Sequence, residues 1–131
     1  GQIVIACGGG GVPVVKEEDG YFGTEAIIDK DFASEKLAEE LNADYLIILT
    51  AVEKVAIFYG TPRQKWLEHM SVREAEFYIE DGQVAPGSML PKVEAAVAFA
   101  KSGHGRKALI TLLEKAEEGI EGRTGTEISM V

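Results

Sequence analysis

The stretch DKDFASEKLAEELNADYLIILT, residues 29–50, contains a helix-like segment followed by a strand-like segment. Its first half carries apolar residues at helical spacing: Phe32, Ala33, Leu37, Ala38 and Leu41. This spacing predicts an amphipathic helix that begins near Asp29 or Lys30. Residues 45–49 form a short apolar run that is typical of a buried strand. The stretch therefore predicts one helix–strand unit of an α/β fold.

The same alternation extends toward the amino terminus. Residues 3–7 are an apolar run that predicts a buried strand, and this run leads directly into four consecutive glycines. Residues 12–28 contain Pro13, Gly20 and Gly23, which predict an irregular excursion with a small hairpin formed by Val14-Val15 and Tyr21-Phe22.

Toward the carboxyl terminus, residues 55–58 predict a short third strand. Ser71 and Glu74 match a capping box, and Pro91 suits the first turn of a further helix. Residues 107–111 predict another strand, followed by a helix to about Gly122 and an edge strand near residues 125–128. This order predicts a largely parallel sheet covered by helices in a single domain spanning residues 1–131.

The overall composition excludes several functional classes. Of 131 residues, 46% are hydrophobic, and 13 basic against 22 acidic residues give a formal net charge of −9. A polyanion such as nucleic acid is repelled on average, and no apolar run approaches the roughly 20 residues that a spanning helix needs. The single cysteine, Cys7, excludes an internal disulfide. With no secretory leader visible, we expect a cytoplasmic protein.

Three features have the composition of a phosphate site, and each also has an ordinary structural explanation. The run Gly8, Gly9, Gly10 and Gly11 lets backbone amides approach an anion, or it is simply a tight turn. It matches neither a P-loop nor a dinucleotide-binding fingerprint. Lys30 and Lys92 each lie at a predicted helix start, where they bind an anion or are solvated surface lysines.

The remaining polar and aromatic residues form no recognisable site. His69 and His104 have no ligand-like spacing and are interpreted as surface residues. Trp66 is interpreted as a surface anchor. No serine–histidine–aspartate or cysteine–histidine set is present to support nucleophilic catalysis.

Five segments, taken together, resemble the carbamate kinases of the amino-acid kinase superfamily. They are residues 4–14, 28–31, 46–50, 86–96 and 122–126, which occur in family order and span nearly the whole chain. The resemblance implies a three-layer α/β/α sandwich of which this chain is the C-terminal, nucleotide-binding half. It also implies an N-terminal half that carries much of the acyl-substrate site, and a homodimer at full length.

The resemblance also implies residue roles. Lys30 corresponds to a lysine that contacts the transferring phosphoryl group, Asp31 to the aspartate that organises the lysines, and Lys92 to a lysine that reaches the nucleotide phosphates. The four glycines correspond to the floor of the reaction centre. Residues that correspond to a mostly apolar nucleoside pocket are Thr50, Ala51, Val52, Val55 and Met89.

The implied reaction is reversible phosphoryl transfer between ATP and carbamate, which gives ADP and carbamoyl phosphate. Mg²⁺ is expected to accompany the nucleotide, since the sequence offers no dedicated metal cage. Two other interpretations stay open. One is another kinase of the superfamily, acting on acetylglutamate, glutamate or a nucleoside monophosphate, and the other is a non-catalytic nucleotide-binding module.

Overall fold

Eight strands and four helices follow one another along residues 1–131, all of which are described by the structure, a computed structural model. The strands are β1 (Val14–Glu17), β2 (Gly20–Gly23), β3 (Tyr45–Thr50), β4 (Val55–Ile57), β5 (Lys65–Leu67), β6 (His69–Ser71), β7 (Lys107–Leu112) and β8 (Thr126–Ser129). The helices are α1 (Lys30–Glu40), α2 (Val72–Glu80), α3 (Leu90–Lys101) and α4 (Ala116–Ile120), and a 3-10 turn over Leu113–Lys115 precedes α4.

The central sheet has four strands in the order β3-β7-β8-β6. β3 pairs with β7 and β6 pairs with β8 in parallel, whereas β7 and β8 are antiparallel. The predicted α/β class with a mainly parallel sheet is therefore confirmed. The prediction that the last strand is an edge strand is wrong, because the three-residue strand β6 was not foreseen and pairs on its outer side.

Helices lie on both faces of this sheet. Phe99 and Val93 of α3 are fully buried in one core with Ile110 and Ile128 of the sheet, and α2 adds Ala75 to the same core. On the opposite face, Gly119 of α4 packs against the side chains of Leu109 and Thr111. The alternation of side chains along β7 thus divides its residues between two helical layers. No helix combines the length and apolar character needed to cross a membrane.

The helices α1 and α3 lie side by side and run in the same direction. Near their amino ends, Lys92 of α3 contacts Asp31 of α1, and just beyond their carboxyl ends Arg106 donates a hydrogen bond of 3.2 Å to Asn42. Each helix then leads into a strand, and the two strands pair in parallel with Tyr45 opposite Lys107. The amino ends of both helices therefore lie near the edge where β3 and β7 end.

The predicted amino-terminal strand is absent. Residues 3–7 form no strand, and Ile3 and Ile5 are almost completely exposed. A strand of a parallel sheet is stable when both of its faces are covered and its backbone groups are paired. Residues 3–7 have neither covered faces nor paired backbone groups, so they remain exposed despite their apolar sequence.

The helix α1 begins where the sequence predicts, but it buries a different face. Phe32, Leu37 and Leu41 are exposed, whereas Asp31 and Glu35 are buried. On the polar side of α1, Asp31 contacts the buried Lys92 of α3. Of the predicted apolar face, only the small residues are partly buried, and Ala38 packs against the core.

Both hairpins of the chain lie outside the central sheet. The predicted pairing of Val14-Val15 with Tyr21-Phe22 is confirmed, with Val15 opposite Phe22. The predicted strand near residues 55–58 exists as β4, and it pairs with the unforeseen strand β5. The capping box is also confirmed, because Ser71 accepts from the amide of Glu74 while the carboxylate of Glu74 accepts from the amide of Ser71.

Candidate functional site

A buried ion pair joins the first turns of α1 and α3. The Nζ atom of Lys92 lies 2.7 Å from Oδ2 of Asp31, and only 9% and 10% of the two side chains is exposed. Two charges are desolvated here at a cost that their attraction must offset, so a purely structural contact gains little from them. The structure thus brings together two of the three charged residues predicted for catalysis.

Lys30 precedes Asp31 in the chain and differs from Lys92 in its surroundings. It is the first residue of α1, its side chain is exposed, and it takes part in none of the ion pairs of the chain. Asp29 caps the helix by accepting a 2.7 Å hydrogen bond from the amide of Asp31. Consecutive Cα atoms are about 3.8 Å apart, so Lys30 presents an exposed cation close to the buried pair.

The amino end of α3 lacks a side-chain cap. Met89 occupies the N-cap position without an accepting side chain, Pro91 lies in the first turn, and this turn contains no acidic residue. The first amides of a helix have no intrahelical acceptor, and the macrodipole adds positive potential at this end. With Lys92 in the same turn, the amino end of α3 is an environment that favours an anion.

The glycine run lies against the segment that leads into α1. Gly10 is buried with φ 134°, and a Cβ atom at this position would lie 2.5 Å from the carbonyl oxygen of Ile28. Its amide donates to the carbonyl of Cys7 at 2.8 Å, which forms the predicted tight turn. Because Ile28 is two residues before Lys30, this contact brings the glycines to the amino end of α1.

A cavity of about 190 Å³ lies at the end of β3. Four of the five residues predicted for the nucleoside pocket line it: Thr50, Ala51, Val52 and Met89. The cavity is mostly apolar, as the sequence predicts. Met89 also joins this cavity to the ion pair, since it is the N-cap residue of the helix whose first turn carries Lys92.

Val55, the fifth residue predicted for that pocket, does not line it. Its side chain is fully buried in the core, and its amide donates a 2.8 Å hydrogen bond to Oγ1 of Thr126. The prediction of Val55 as a pocket residue is therefore not met. The reason is that strand alternation turns Val55 inward, whereas its neighbours Lys54 and Ala56 line the cavity.

Two aromatic residues that line the cavity were not predicted as part of the site. Tyr59 follows β4 and Trp66 lies in β5, and their rings form an edge-to-face pair with centroids 6.3 Å apart. The sequence alone indicates only a surface anchor at Trp66. The strand β5, which carries it, has three residues and therefore no periodic signal. The sequence does contain one signal for this hairpin. Tyr59 and Trp66 are seven positions apart, and Gly60 and Pro62 between them are typical of a turn.

The loop after β3 is fixed by Glu53. Its carboxylate accepts a short hydrogen bond from the hydroxyl of Thr124 and lies 3.1 Å from the ammonium group of Lys115. The hydrogen bond from Thr124, followed by that from Lys115, lowers the pKa of Glu53 below its ordinary value. An ionised Glu53 therefore ties the cavity loop to the 3-10 turn and to the segment preceding β8.

The chain itself offers no metal cage. No group of three or more histidine, cysteine, aspartate or glutamate side chains is arranged to hold a metal ion. The carboxylate of Asp31 already accepts a hydrogen bond from Lys92. A divalent ion at this edge would therefore need ligands that a bound molecule brings with it.

The chain is similar to known proteins over almost its whole length. The model of the amino acid kinase family matches residues 1–111. The carbamate kinase-like protein YqeA of Escherichia coli is 60% identical over 128 residues, which cover 98% of this chain and 41% of that protein. A carbamate kinase of Pyrococcus horikoshii is 54% identical over 129 residues, with the same two coverages.

Solved structures agree with this similarity. The carbamate kinase from Giardia lamblia bound to AMP-PNP superimposes with a TM-score of 0.87 at 41% identity, covering 92% of this chain and 38% of that one. N-acetylglutamate synthase from Neisseria gonorrhoeae shares the fold, with a TM-score of 0.64 at 21% identity. The chain thus spans about two-fifths of the curated relatives it matches. Its sequence and its fold both show that the chain belongs to the amino acid kinase family.

Proposed function

We propose that this chain forms the nucleotide side of a carbamate kinase. The observation that carries the proposal is the arrangement at one sheet edge, where the buried pair Asp31–Lys92 lies one helical turn from the apolar cavity that contains Met89. The phosphates of a nucleotide need nearby cations, and its base needs an apolar slot; this arrangement offers both. The similarity to carbamate kinases, one of which was solved with AMP-PNP, gives the reaction class.

The phosphates of ATP or ADP lie, in this proposal, between the amino ends of α1 and α3. Lys30 supplies an exposed ammonium group, and Lys92 supplies a second one whose position is fixed by Asp31. The uncapped amides of α3 and the glycine run add backbone donors and positive potential. The role of Asp31 is to hold Lys92 in place, and it abstracts no proton.

The reaction is a reversible transfer of the γ-phosphoryl group. An oxygen of carbamate attacks the γ-phosphorus, the bond to the oxygen that bridges the β- and γ-phosphorus atoms breaks, and ADP leaves with that electron pair. Carbamate is already an anion, so no general base is needed, and catalysis consists of alignment and charge neutralisation. Mg²⁺, if it accompanies the nucleotide, would be held mainly by phosphate oxygens and water, because no group of three or more acidic, histidine or cysteine side chains is arranged to hold it.

The chain spans 41% of the length of its carbamate kinase relatives. In this proposal, much of the acyl-substrate site belongs to the remaining length of such an enzyme. We therefore propose that the chain alone binds nucleotide without turnover, and that it acts with an N-terminal half in a homodimer of full-length enzyme. The second candidate function is a nucleotide-binding module without catalysis, which would use the same cavity and the same helix ends.

Calorimetric titration of the 131-residue chain with ADP and Mg²⁺ tests the binding part of the proposal. We expect saturable binding of one ADP per chain. A chain that is folded by circular dichroism and binds no ADP at millimolar concentration contradicts the proposal.

A chimaera separates the kinase from the binding module. This chain would replace the 129 matching residues of the Pyrococcus horikoshii carbamate kinase, to which it is 54% identical. We expect ATP formation from ADP and carbamoyl phosphate, and no phosphorylation of acetylglutamate, glutamate or a nucleoside monophosphate. A folded chimaera that binds ADP but forms no ATP favours the module.

A further inference from the structure

A groove runs along the outer face of α3, between α1 and α2. Its volume is about 590 Å³, and all three helices contribute side chains to its lining. It shares no residue with the apolar cavity at the end of β3. Five glutamates and two lysines line the groove, so its formal charge is −3. The groove is therefore a second concave surface of the chain, and it attracts cations.

Two of the five carboxylates are neutralised inside the groove. Lys36 forms an ion pair with Glu39, and the ammonium group of Lys101 on α3 lies 2.6 Å from the carboxylate of Glu76 on α2. The other three carboxylates take part in no ion pair of the chain, and each helix carries one of them: Glu35 on α1, Glu80 on α2 and Glu94 on α3.

Glu35 is the residue that indicates a ligand. Only 6% of it is exposed, yet its carboxylate makes no hydrogen bond and no ion pair. A buried carboxylate without a partner is costly, and burial accordingly raises the pKa of Glu35. Because Glu35 lines the groove, a cation that enters the groove would supply the missing partner.

An apolar strip accompanies the charged groups of the groove. It consists of Val97 and Ala98 of α3 and Ile79 of α2. A metal ion gains nothing from such a strip, and no group of three carboxylates is arranged to hold one. An aliphatic chain with several ammonium groups fits both features, because its methylene groups cover the strip while its ammonium groups pair with carboxylates.

We propose that this groove binds an aliphatic polyamine, with one ammonium group paired to Glu35 and the others to Glu80 and Glu94. A triamine matches the number of unpaired carboxylates and the formal charge of the groove. The polyamine contacts all three helices and binds only the folded chain, so it should also raise the melting temperature. The site is separate from the proposed nucleotide site and does not depend on it.

Calorimetric titration of the 131-residue chain at pH 7.5 with a series of amines tests the proposal. We expect one spermidine per chain, weaker binding of putrescine and weaker binding still of butylamine, because each lost ammonium group removes one ion pair. Hexaamminecobalt(III) has the same charge as spermidine but no methylene chain, so it should bind more weakly than spermidine. A decalysine peptide would be titrated in parallel as a model of a basic protein segment.

Two variants remove one carboxylate each with little change of shape. Glu35→Gln and Glu80→Gln should each weaken spermidine binding about tenfold, as expected for the loss of one hydrogen bond between charged groups. Glu80 is exposed, so its replacement leaves folding intact. Glu40→Gln is the matched control, because Glu40 is exposed on α1 and does not line the groove. Its affinity for spermidine should equal that of the wild type.

The proposal is supported if one spermidine binds per chain and if both groove variants weaken this binding while Glu40→Gln does not. It is rejected if hexaamminecobalt(III) binds as tightly as spermidine, since net charge alone would then explain the attraction. It is also rejected if decalysine binds and spermidine does not. Spermidine binding without ADP binding would reject only the proposed function, and ADP binding without spermidine binding would reject only this inference.

Discussion

Lys92 and Asp31 form the contact that connects the proposed chemistry to the packing of the fold, because their 2.7 Å ion pair is also the buried link between α3 and α1. The two lysines of the proposed phosphate site are therefore not equivalent. Lys92 is a structural part of the helix pair, whereas Lys30 is exposed beside it. Substitutions of the two lysines are expected to have different effects on stability.

Replacing Lys92 by methionine leaves the carboxylate of Asp31 buried without a partner. Breaking a buried pair in this way costs about 3–5 kcal/mol of unfolding free energy. The double variant Lys92→Met with Asp31→Asn removes both charges and should recover much of that loss. Urea unfolding of the wild type, the two single variants and the double variant measures the interaction free energy between Lys92 and Asp31. Strictly additive changes in unfolding free energy would contradict this prediction.

Replacing Lys30 by alanine should leave the unfolding free energy within about 0.5 kcal/mol of the wild type, as for most exposed positions. The same change should weaken ADP binding and, in the chimaera, lower turnover by about 10², the usual effect of losing one transition-state charge contact. Lys36→Ala is the matched control, because Lys36 is exposed on the same helix and contacts Glu39. Equal nucleotide affinities in both variants would remove Lys30 from the site.

Replacing Gly10 by alanine should detach the glycine run from the start of α1. The new methyl group would meet the carbonyl oxygen of Ile28 at 2.5 Å, and φ 134° is a conformation that alanine avoids. Strain of this kind costs about 1–3 kcal/mol, and here it acts locally. Gly9→Ala is the control, since a Cβ atom there meets nothing within 4 Å. Faster exchange of the amide at position 10 and weaker ADP binding, both in Gly10→Ala and not in Gly9→Ala, would confirm the contact.

Glu35 predicts a pH-dependent stability. Burial raises the pKa of Glu35 above its ordinary value of 4.5, with the charge of Lys36 opposing the shift. A carboxyl whose pKa rises on folding destabilises the native state when it ionises, so this cost is absent below pH 4.5 and is complete above the raised pKa. Glu35→Gln should therefore raise the melting temperature at pH 7.5, and the gain should disappear near pH 4.5.

Glu39 provides the control of opposite sign. A hydrogen bond from Lys36 lowers the pKa of Glu39, so its ionised form favours folding at pH values above its ordinary pKa. Glu39→Gln should therefore leave the melting temperature at pH 7.5 unchanged or slightly lower. A gain at pH 7.5 from Glu39→Gln as large as that from Glu35→Gln would show that burial of Glu35 is not the cause.

The elements with strong local signals were predictable from the sequence. The capping box at Ser71, the proline at the start of α3 and the apolar run of β7 each depend on neighbouring residues alone. The strands β5 and β6, of three residues each, are too short for any periodicity to develop. As a result, the position of β8 between β7 and β6 could not be foreseen.

The candidate site was predictable in its residues but not in its contacts. Asp31 and Lys92 are 61 positions apart, and their pairing depends on how α1 packs against α3. Spacing also could not show that Val55 points into the core while Trp66 faces the cavity. Both facts follow from the β4–β5 hairpin, a tertiary feature with a weak sequence signal.

The unpaired edge of β3 has a consequence for the behaviour of the chain in solution. β3 is the outermost strand of the central sheet, and one row of its backbone amides and carbonyls faces no other strand. The exposed residues 2–7, Gln-Ile-Val-Ile-Ala-Cys, carry no charge and no proline. An exposed segment of this kind and an open strand edge are each sites for intermolecular strand addition. Concentrated preparations of this chain should therefore self-associate through these six residues unless a covering segment or a charged substitution protects them.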